Sequence, residues 1–202
     1  MSSERAAPEL PDERLEEEFG DYKPLMDEHE AVAEAERCLY CADAPCIDSC
    51  PTNIDIPEFI RRIATGNVAG SAKTILEQNI LGLSCAQVCP TEVLCESTCV
   101  YNEMDEPPID IGRLQHYATE DAYQRGLQFF EAGEPTGHRV ALIGAGPASV
   151  ACAHELRKRG HEAVLFEARP YPGGLNTDGV APYKFKGDDS IREIEYVAEI
   201  GG

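Results

Sequence analysis

The sequence predicts an α + α/β chain: a helical domain built around clustered cysteines, then the opening βαβ of a parallel sheet that the 202 residues leave incomplete. Three observations predict it. Eight of the nine cysteines fall in two short groups, Cys38 to Cys50 and Cys85 to Cys99, joined by segments of helical periodicity. After residue 139 a short apolar run enters a glycine-rich turn, a helical stretch and a second apolar run ending on an acid. Between these halves lies EAGEPTGH, polar and bearing glycine and proline, which places a linker at 131–138.

The first group reads CLYCADAPCIDSC, followed at once by Pro51. A thiol buried as a small hydrophobe has no reason to recur at gaps of two, four and three residues. Two thiols two residues apart do converge on one metal centre, because a tight turn brings both sulfurs to the same side. The run resembles the bacterial ferredoxin pattern with its middle gap widened, in which the fourth cysteine serves a second cluster. It therefore asks for two iron–sulfur clusters and for further ligands elsewhere. The second group, LSCAQVCPTEVLCESTCV, supplies Cys85, Cys89, Cys95 and Cys99, and Cys89-Pro90 repeats Cys50-Pro51. On spacing alone Cys85 is the natural eighth ligand, and Gln115 is a helix-surface glutamine. Zinc is the rival reading of such cysteines, but only Cys38 and Cys41 form the C-x2-C pair that zinc sites repeat.

Around these groups the helices follow in order. Residues 1–25 form an acidic, loosely ordered lead-in; residues 1–30 hold eleven acids and three bases. The helical domain spans 26–130. MDEHEAVAEAER, 26–37, is rich in helix formers and delivers a helix onto Cys38. Asp55 caps a helix with Pro57 in its first turn and Gly66 past its end, and Ile56, Phe59, Ile60 and Ile63 share one face. A further helix runs over 68–78, Pro107-Pro108 makes a loop, and a long helix is expected over 111–130. A formal charge of −20 with no basic face excludes nucleic acid as a partner. No run of 18 apolar residues and no apolar leader occurs, so the expectation is a cytoplasmic protein with no membrane partner. In a reducing compartment clustered thiols serve metals or redox chemistry more often than disulfides.

In the second half, 139–202, RVALI is a short buried-type strand running into Gly144, Ala145, Gly146, Pro147, Ala148 and Ser149. A helix follows to Arg159, Gly160 stops it, and the second strand ends on Glu167, 23 positions after Gly144. A glycine string alone is an ordinary tight turn; between strand and helix, with an acid at that distance, it marks a dinucleotide site. Gly146 lets the backbone approach a pyrophosphate, and the helix N-terminus offers free N–H groups and positive potential. Ser149 replaces the third glycine and still allows close helix–strand packing. PYPGGL, with Gly173 and Gly174, forms a loop, and an amphipathic helix over 189–199 follows. Two strands are too few to bury both faces of such a sheet, so the domain reads as truncated.

Taken together, CLYCADAPCIDSCPTNIDI, LGLSCAQVCPTEVLCESTC, PIDIGRLQ and GAGPAS with EARPYPGGL resemble the electron-entry part of dihydropyrimidine dehydrogenase. The likeness is especially to the separate NAD-dependent subunit of the bacterial enzyme, and the glutamate synthase small subunit shares the layout more distantly. The resemblance covers about Cys38 to Lys184. It implies an α-helical ferredoxin-like domain with two [4Fe-4S] clusters, followed by the opening of a Rossmann-like FAD-binding domain. It assigns Cys38, Cys41, Cys46 and Cys99 to one cluster, and Cys50, Cys89, Cys95 and Gln115 to the other, leaving Cys85 and Cys152 as bystanders. It gives FAD to 144–149, with Glu167 on the adenosine ribose, Gly173, Gly174 and Leu175 along the dinucleotide, and Lys184 near the cofactor. The implied function is electron transfer from NAD(P)H, held further downstream, through FAD and two clusters to a partner subunit or domain carrying FMN and reducing a pyrimidine. No residue of this chain is assigned catalysis on that substrate, and none of the five histidines has ligand spacing. The alternatives are electron input of the glutamate synthase type, and a zinc-binding or scaffold module without catalysis.

Overall fold

Helix starts in the first half of the chain are written by short acceptors placed just before each periodic run. In a computed structural model that describes residues 20–200, each of these acceptors does cap its helix. Asp27 and Glu30 form a reciprocal capping box at α1 (Glu28–Glu36), satisfying two end donors at once. Asp55 accepts from Glu58 N–H at 3.1 Å to start α3 (Ile56–Ala64). Asn67 does the same for Gly70 at the head of α4 (Val68–Gln78). Asp110 accepts from Arg113 N–H at 3.3 Å to open α6 (Ile111–Gln124). Each such cap stabilises its helix by about 1 kcal/mol.

Two short helices lie beside the cysteines, α2 (Pro45–Asp48) and α5 (Gly82–Val88), with 3-10 turns over Thr91–Val93 and Val100–Met104. Spacing of apolar residues gave no signal for segments this short. The core is the face expected of α3: Ile56, Phe59, Ile60 and Ile63 are buried, joined by Ile75 and Leu76 of α4, Leu83 of α5 and Leu114 of α6. Full burial of each large side chain contributes about 1.5–3 kcal/mol.

The long helix expected over 111–130 ends six residues early, at Gln124. Gly126 adopts φ +61°, and Leu127 N–H turns back to the Ala122 carbonyl at 3.0 Å, with Gly126 N–H on Tyr123 at 3.1 Å. This crossed pair of bonds closes the helix as it does after Gly66 in α3. The sequence carried that stop signal in Gly126, and the apolar Phe129 and Phe130 masked it.

The described residues form two units, Lys23–Gln128 and a second made of 20–22 with 129–200. In the second, β1 (Arg139–Ile143), α7 (Pro147–Lys158) and β2 (Glu162–Phe166) make a parallel βαβ, paired from Arg139 with Glu162 to Ile143 with Phe166. The helix α8 (Leu175–Asp178) and the amphipathic α9 (Gly187–Ala198) follow, the latter two residues earlier than expected at its start.

Residues 131–138, expected as a linker, instead lie against the end of α7. Gly133 N–H donates to Arg157 O at 3.0 Å and Thr136 N–H to Gly160 O at 2.9 Å. Two glycines permit this approach: a Cβ on Gly133 would meet Gly160 N at 2.8 Å, and one on Gly160 would meet Glu134 C at 2.7 Å. The acidic lead-in falls outside the described residues except for 20–25. Those few are tied down, with Tyr22 N–H on Tyr183 O at 2.7 Å in one unit and Pro24 O receiving Arg113 Nε at 2.8 Å in the other. Among the described residues no helix is long and apolar enough to cross a membrane.

Candidate iron–sulfur and dinucleotide sites

The loop carrying the first cysteines curls because two of its residues, Tyr40 and Ala44, hold φ +51° and +34° on either side of Cys41. A non-glycine residue there costs about 1–2 kcal/mol, so the surrounding contacts must hold it. Tyr40 is held by its hydroxyl on Ala35 O at 3.3 Å and by the Arg61 guanidinium over its ring. Tyr101, next but one to Cys99, donates its hydroxyl to Arg37 O at 2.7 Å and so ties the 3-10 turn to the loop. As a result Cys38, Cys41, Cys46 and Cys99 line one cavity, closed by Leu39, Ile56, Ile60, Ile109 and Ile111.

Burial in this apolar setting pushes the Cys38 thiol up and the Cys46 thiol to about 11. Thiols so placed stay protonated unless a cation compensates their charge, which is the service a metal core performs. Among the described residues no three His, Cys, Asp or Glu side chains close on a single point as one metal ion demands. The four sulfurs surround a cavity instead. Four cysteine sulfurs around one cavity are the donor set that a polynuclear iron–sulfide core uses.

A second group gathers where α5, the turn at 91–95 and α6 meet. Cys50, Cys85, Cys89 and Cys95 are near enough to perturb one another's ionisation. Desolvation drives Cys95 to about 12. The Cys85 thiol hydrogen-bonds Cys89; sharing that proton lowers Cys89 to about 7 and raises Cys85. Gln115 is buried in α6, with Nε2 donating to Gly82 O at 2.7 Å and its side chain close enough to Cys85 to favour the thiolate. The expected surface glutamine of the spacing argument is thus an inward one, and Cys85 stands in the same cluster of side chains.

Sequence reasoning missed two charged neighbours of this group. Lys23 places Nζ 3.0 Å from Thr91 Oγ1 and 3.3 Å from Cys89 O. Glu96 accepts from Gly112 N–H at 2.9 Å, and burial raises its pKa. Lys23 lay within a stretch read as lead-in, and nothing local marks it; only the fold brings it to Cys89.

In the second unit β1 delivers Gly144 at φ +85°, with its N–H on Phe166 O at 2.7 Å. Gly146 begins α7 without any side-chain cap, and Pro147 follows at the first turn, so the helix end keeps donors for a ligand. A Cβ built on Gly144 or Gly146 would meet nothing within 4 Å. That is open room over backbone, the cradle a pyrophosphate requires. The paired glycines close on it: Gly173 N–H donates to Ala145 O at 2.7 Å, and a Cβ on Gly174 would lie 3.2 Å from Gly146 Cα.

Glu167 accepts from Ala145 N–H and Arg169 N–H, both at 2.8 Å, and these bonds hold its carboxyl below the usual range. It therefore stands beside the turn, ionised. Ala148 and Ser149 occupy the first turn of α7, exposed and half-buried respectively, and Leu175 is exposed at the head of α8. Lys184 lies with its ammonium over the Tyr22 ring, 5.4 Å from the centroid. Cys152 is exposed on α7, outside both thiol groups.

Residues 15–127 match the model of the dihydropyrimidine dehydrogenase domain II, 4Fe-4S cluster, family. The chain belongs to that family. Residues 142–200 match the NAD(P)-binding Rossmann-like domain model, so an iron–sulfur domain is followed by a Rossmann-like one. The NAD-dependent dihydropyrimidine dehydrogenase subunit PreT of Salmonella typhimurium is 40% identical over 187 residues, covering 93% of this chain and 44% of that protein. Its Escherichia coli K12 counterpart is 41% identical over 171 residues, 85% of this chain and 41% of the relative. The small chain of glutamate synthase [NADPH] from the same strain is 34% identical over 181 residues, 89% of this chain and 38% of the relative. The chain thus spans less than half the length of these relatives.

Proposed function

We propose that this chain is the electron-entry portion of an NAD(P)H-dependent oxidoreductase of the dihydropyrimidine dehydrogenase type. The observation that carries the reading is the gathering of eight cysteines, far apart in sequence, into two separate groups. Cys38, Cys41, Cys46 and Cys99 would hold one [4Fe-4S] cluster, and Cys50, Cys89 and Cys95 with Gln115 the other. The open turn at 144–149, Glu167 and the Gly173–Gly174 loop would hold FAD, Glu167 reaching a ribose hydroxyl as acids at this position do. When bound, the flavin exchanges a hydride for single electrons and the clusters pass those electrons singly.

The residues' own work is to position and to exclude water. Ile56, Ile60, Ile109 and Ile111 keep the first site dry. That low polarity raises the sensitivity of a bound group to every nearby charge. At the second site the neutral amide of Gln115 in place of a thiolate removes one negative charge and raises the potential. The N-terminus of α7 neutralises phosphate.

The names of the relatives support a partner subunit of a dihydropyrimidine dehydrogenase and a nicotinamide electron source; a partner that carries FMN and reduces the pyrimidine is part of the proposal. Glutamate synthase-type input is the second reading, favoured by the 34% relative. Anaerobic reconstitution with iron and sulfide, followed by metal analysis and EPR of the reduced chain, tests the cluster reading. Two distinct reduced signals are expected; a colourless chain with stoichiometric zinc and no sulfide would overturn it. The acceptor is then decided by co-expressing the longer protein with its neighbouring subunit and assaying NADH-driven reduction of uracil against glutamate formation.

A further inference from the structure

The second cysteine group has more donors than a four-cornered cluster needs. Close approach of α5 to α6 creates the surplus. Gly82 faces Ile75 and Leu76 of α4 and Thr119 of α6, and a Cβ there would lie 2.8 Å from Ile75 and 3.1 Å from Thr119, so a larger residue would press α5 away from both helices. Gln115 Nε2 then reaches the Gly82 carbonyl at 2.7 Å, which fixes the amide's orientation by holding its donor end. Cys85 lies one turn along α5 from Gly82 and one turn before Cys89, whose N–H donates to the Cys85 carbonyl at 3.0 Å. A bystander thiol would be packed among apolar groups. This one lies within electrostatic reach of the proposed ligands Cys89, Gln115 and Cys50.

Resting on the reading of Cys50, Cys89 and Cys95 as cluster ligands, we infer that the fourth corner of the second site has two donors, the Gln115 amide oxygen and the Cys85 thiolate, with Cys85 the reserve ligand that takes the iron when the amide does not. The exchange balances simply. One iron–oxygen contact breaks and one iron–sulfur bond forms, the Cys85 proton passes to solvent, and no oxidation state changes. The site gains one negative charge, so its reduction potential falls.

The test uses the full chain, reconstituted anaerobically, as the parent, Gln115→Ala, Cys85→Ala and the double variant, read by iron and sulfide content, EPR and spectroelectrochemical midpoint. Gln115→Ala is expected to keep the parent's iron content while its second-site midpoint moves to lower potential. Cys85→Ala keeps both iron content and midpoint. The double variant loses one iron per chain and shows the oxidised EPR signal of a three-iron cluster. The signal of the site at Cys38, Cys41, Cys46 and Cys99 serves as the folding control in every sample. If Gln115→Ala alone gives the three-iron signal, Cys85 cannot reach the iron and the inference fails. If Cys85→Ala alone gives it, the corner has one donor and the inference fails equally. A parent that binds no iron or sulfide overturns the cluster reading itself, a result distinct from either.

Discussion

Gly82→Ala isolates the contact on which the second site is built. The new Cβ would lie 2.8 Å from Ile75 Cγ2, 3.1 Å from Thr119 Cγ2 and 3.2 Å from Leu76 Cδ2. Carbon atoms prefer about 3.5–4.0 Å, so all three contacts are too short. Overpacking of this kind costs about 1–3 kcal/mol. Against it stands the gain from replacing glycine in a helix, at most about 1 kcal/mol and less at a first-turn position. The clash wins. Relief comes by moving α5 away from α4 and α6, which stretches the 2.7 Å bond from Gln115 Nε2 to Gly82 O. A buried amide left unpaired costs about 1–3 kcal/mol more. The expected net loss is about 1–6 kcal/mol, at about 2–4 °C in the thermal midpoint per kcal/mol for a chain this size. Differential scanning of the anaerobically reconstituted chain reads the midpoint, and EPR reads the second cluster. A midpoint equal to or above the parent's, with an unaltered second-cluster signal, would refute the packing argument.

Three further outcomes follow from the geometry. Lys23→Met removes the cation hydrogen-bonded to Cys89 O and Thr91 and should lower the midpoint of the proposed second cluster by tens of millivolts, leaving the proposed first unchanged; potentiometric EPR titration checks both. Gly173→Ala would drive a methyl into Thr177 and Ser190 at φ +101°, so a loss of about 2 kcal/mol or more is expected in urea melts, where Gly137→Ala, with open space at φ +77°, should lose less. His154 is buried between Phe130, Glu155 and Lys158 and its pKa is lowered to about 4, chiefly by desolvation. Because the unfolded chain takes up that proton near pH 6.5 and the folded chain does not, stability is complete above about 6.5 and is lost as pH falls toward 4. The loss approaches about 3 kcal/mol. His154→Phe should flatten that part of the stability profile, measured by denaturation at stepped pH.

What the residues determine locally was legible in their order. Asp55 announces a helix start because a short oxygen acceptor can reach a neighbouring N–H without help from the rest of the chain, and the structure adds Asp27, Asn67 and Asp110 as caps of the same kind. The strand–glycine turn–helix at 139–158 was readable for the same reason, since positive φ at Gly144 is a property of one residue. The stop at Gly126 is equally local, since it rests on that one residue's positive φ and the turn it closes. Spacing of thiols announced metal chemistry, since no packing role repeats cysteine so closely.

Which thiols meet was another matter. The grouping of Cys99 with Cys38, the inward turn of Gln115, the place of Cys85 beside it and the arrival of Lys23 at Cys89 all join residues tens of positions apart. Sequence spacing carries no information about such pairs. They are set by how closely helices approach, which Gly82 governs between α5 and α6, and by left-handed residues such as Tyr40 and Ala44 that only surrounding contacts can hold. Short-range hydrogen bonding decided the elements; long-range packing decided which donors share a site.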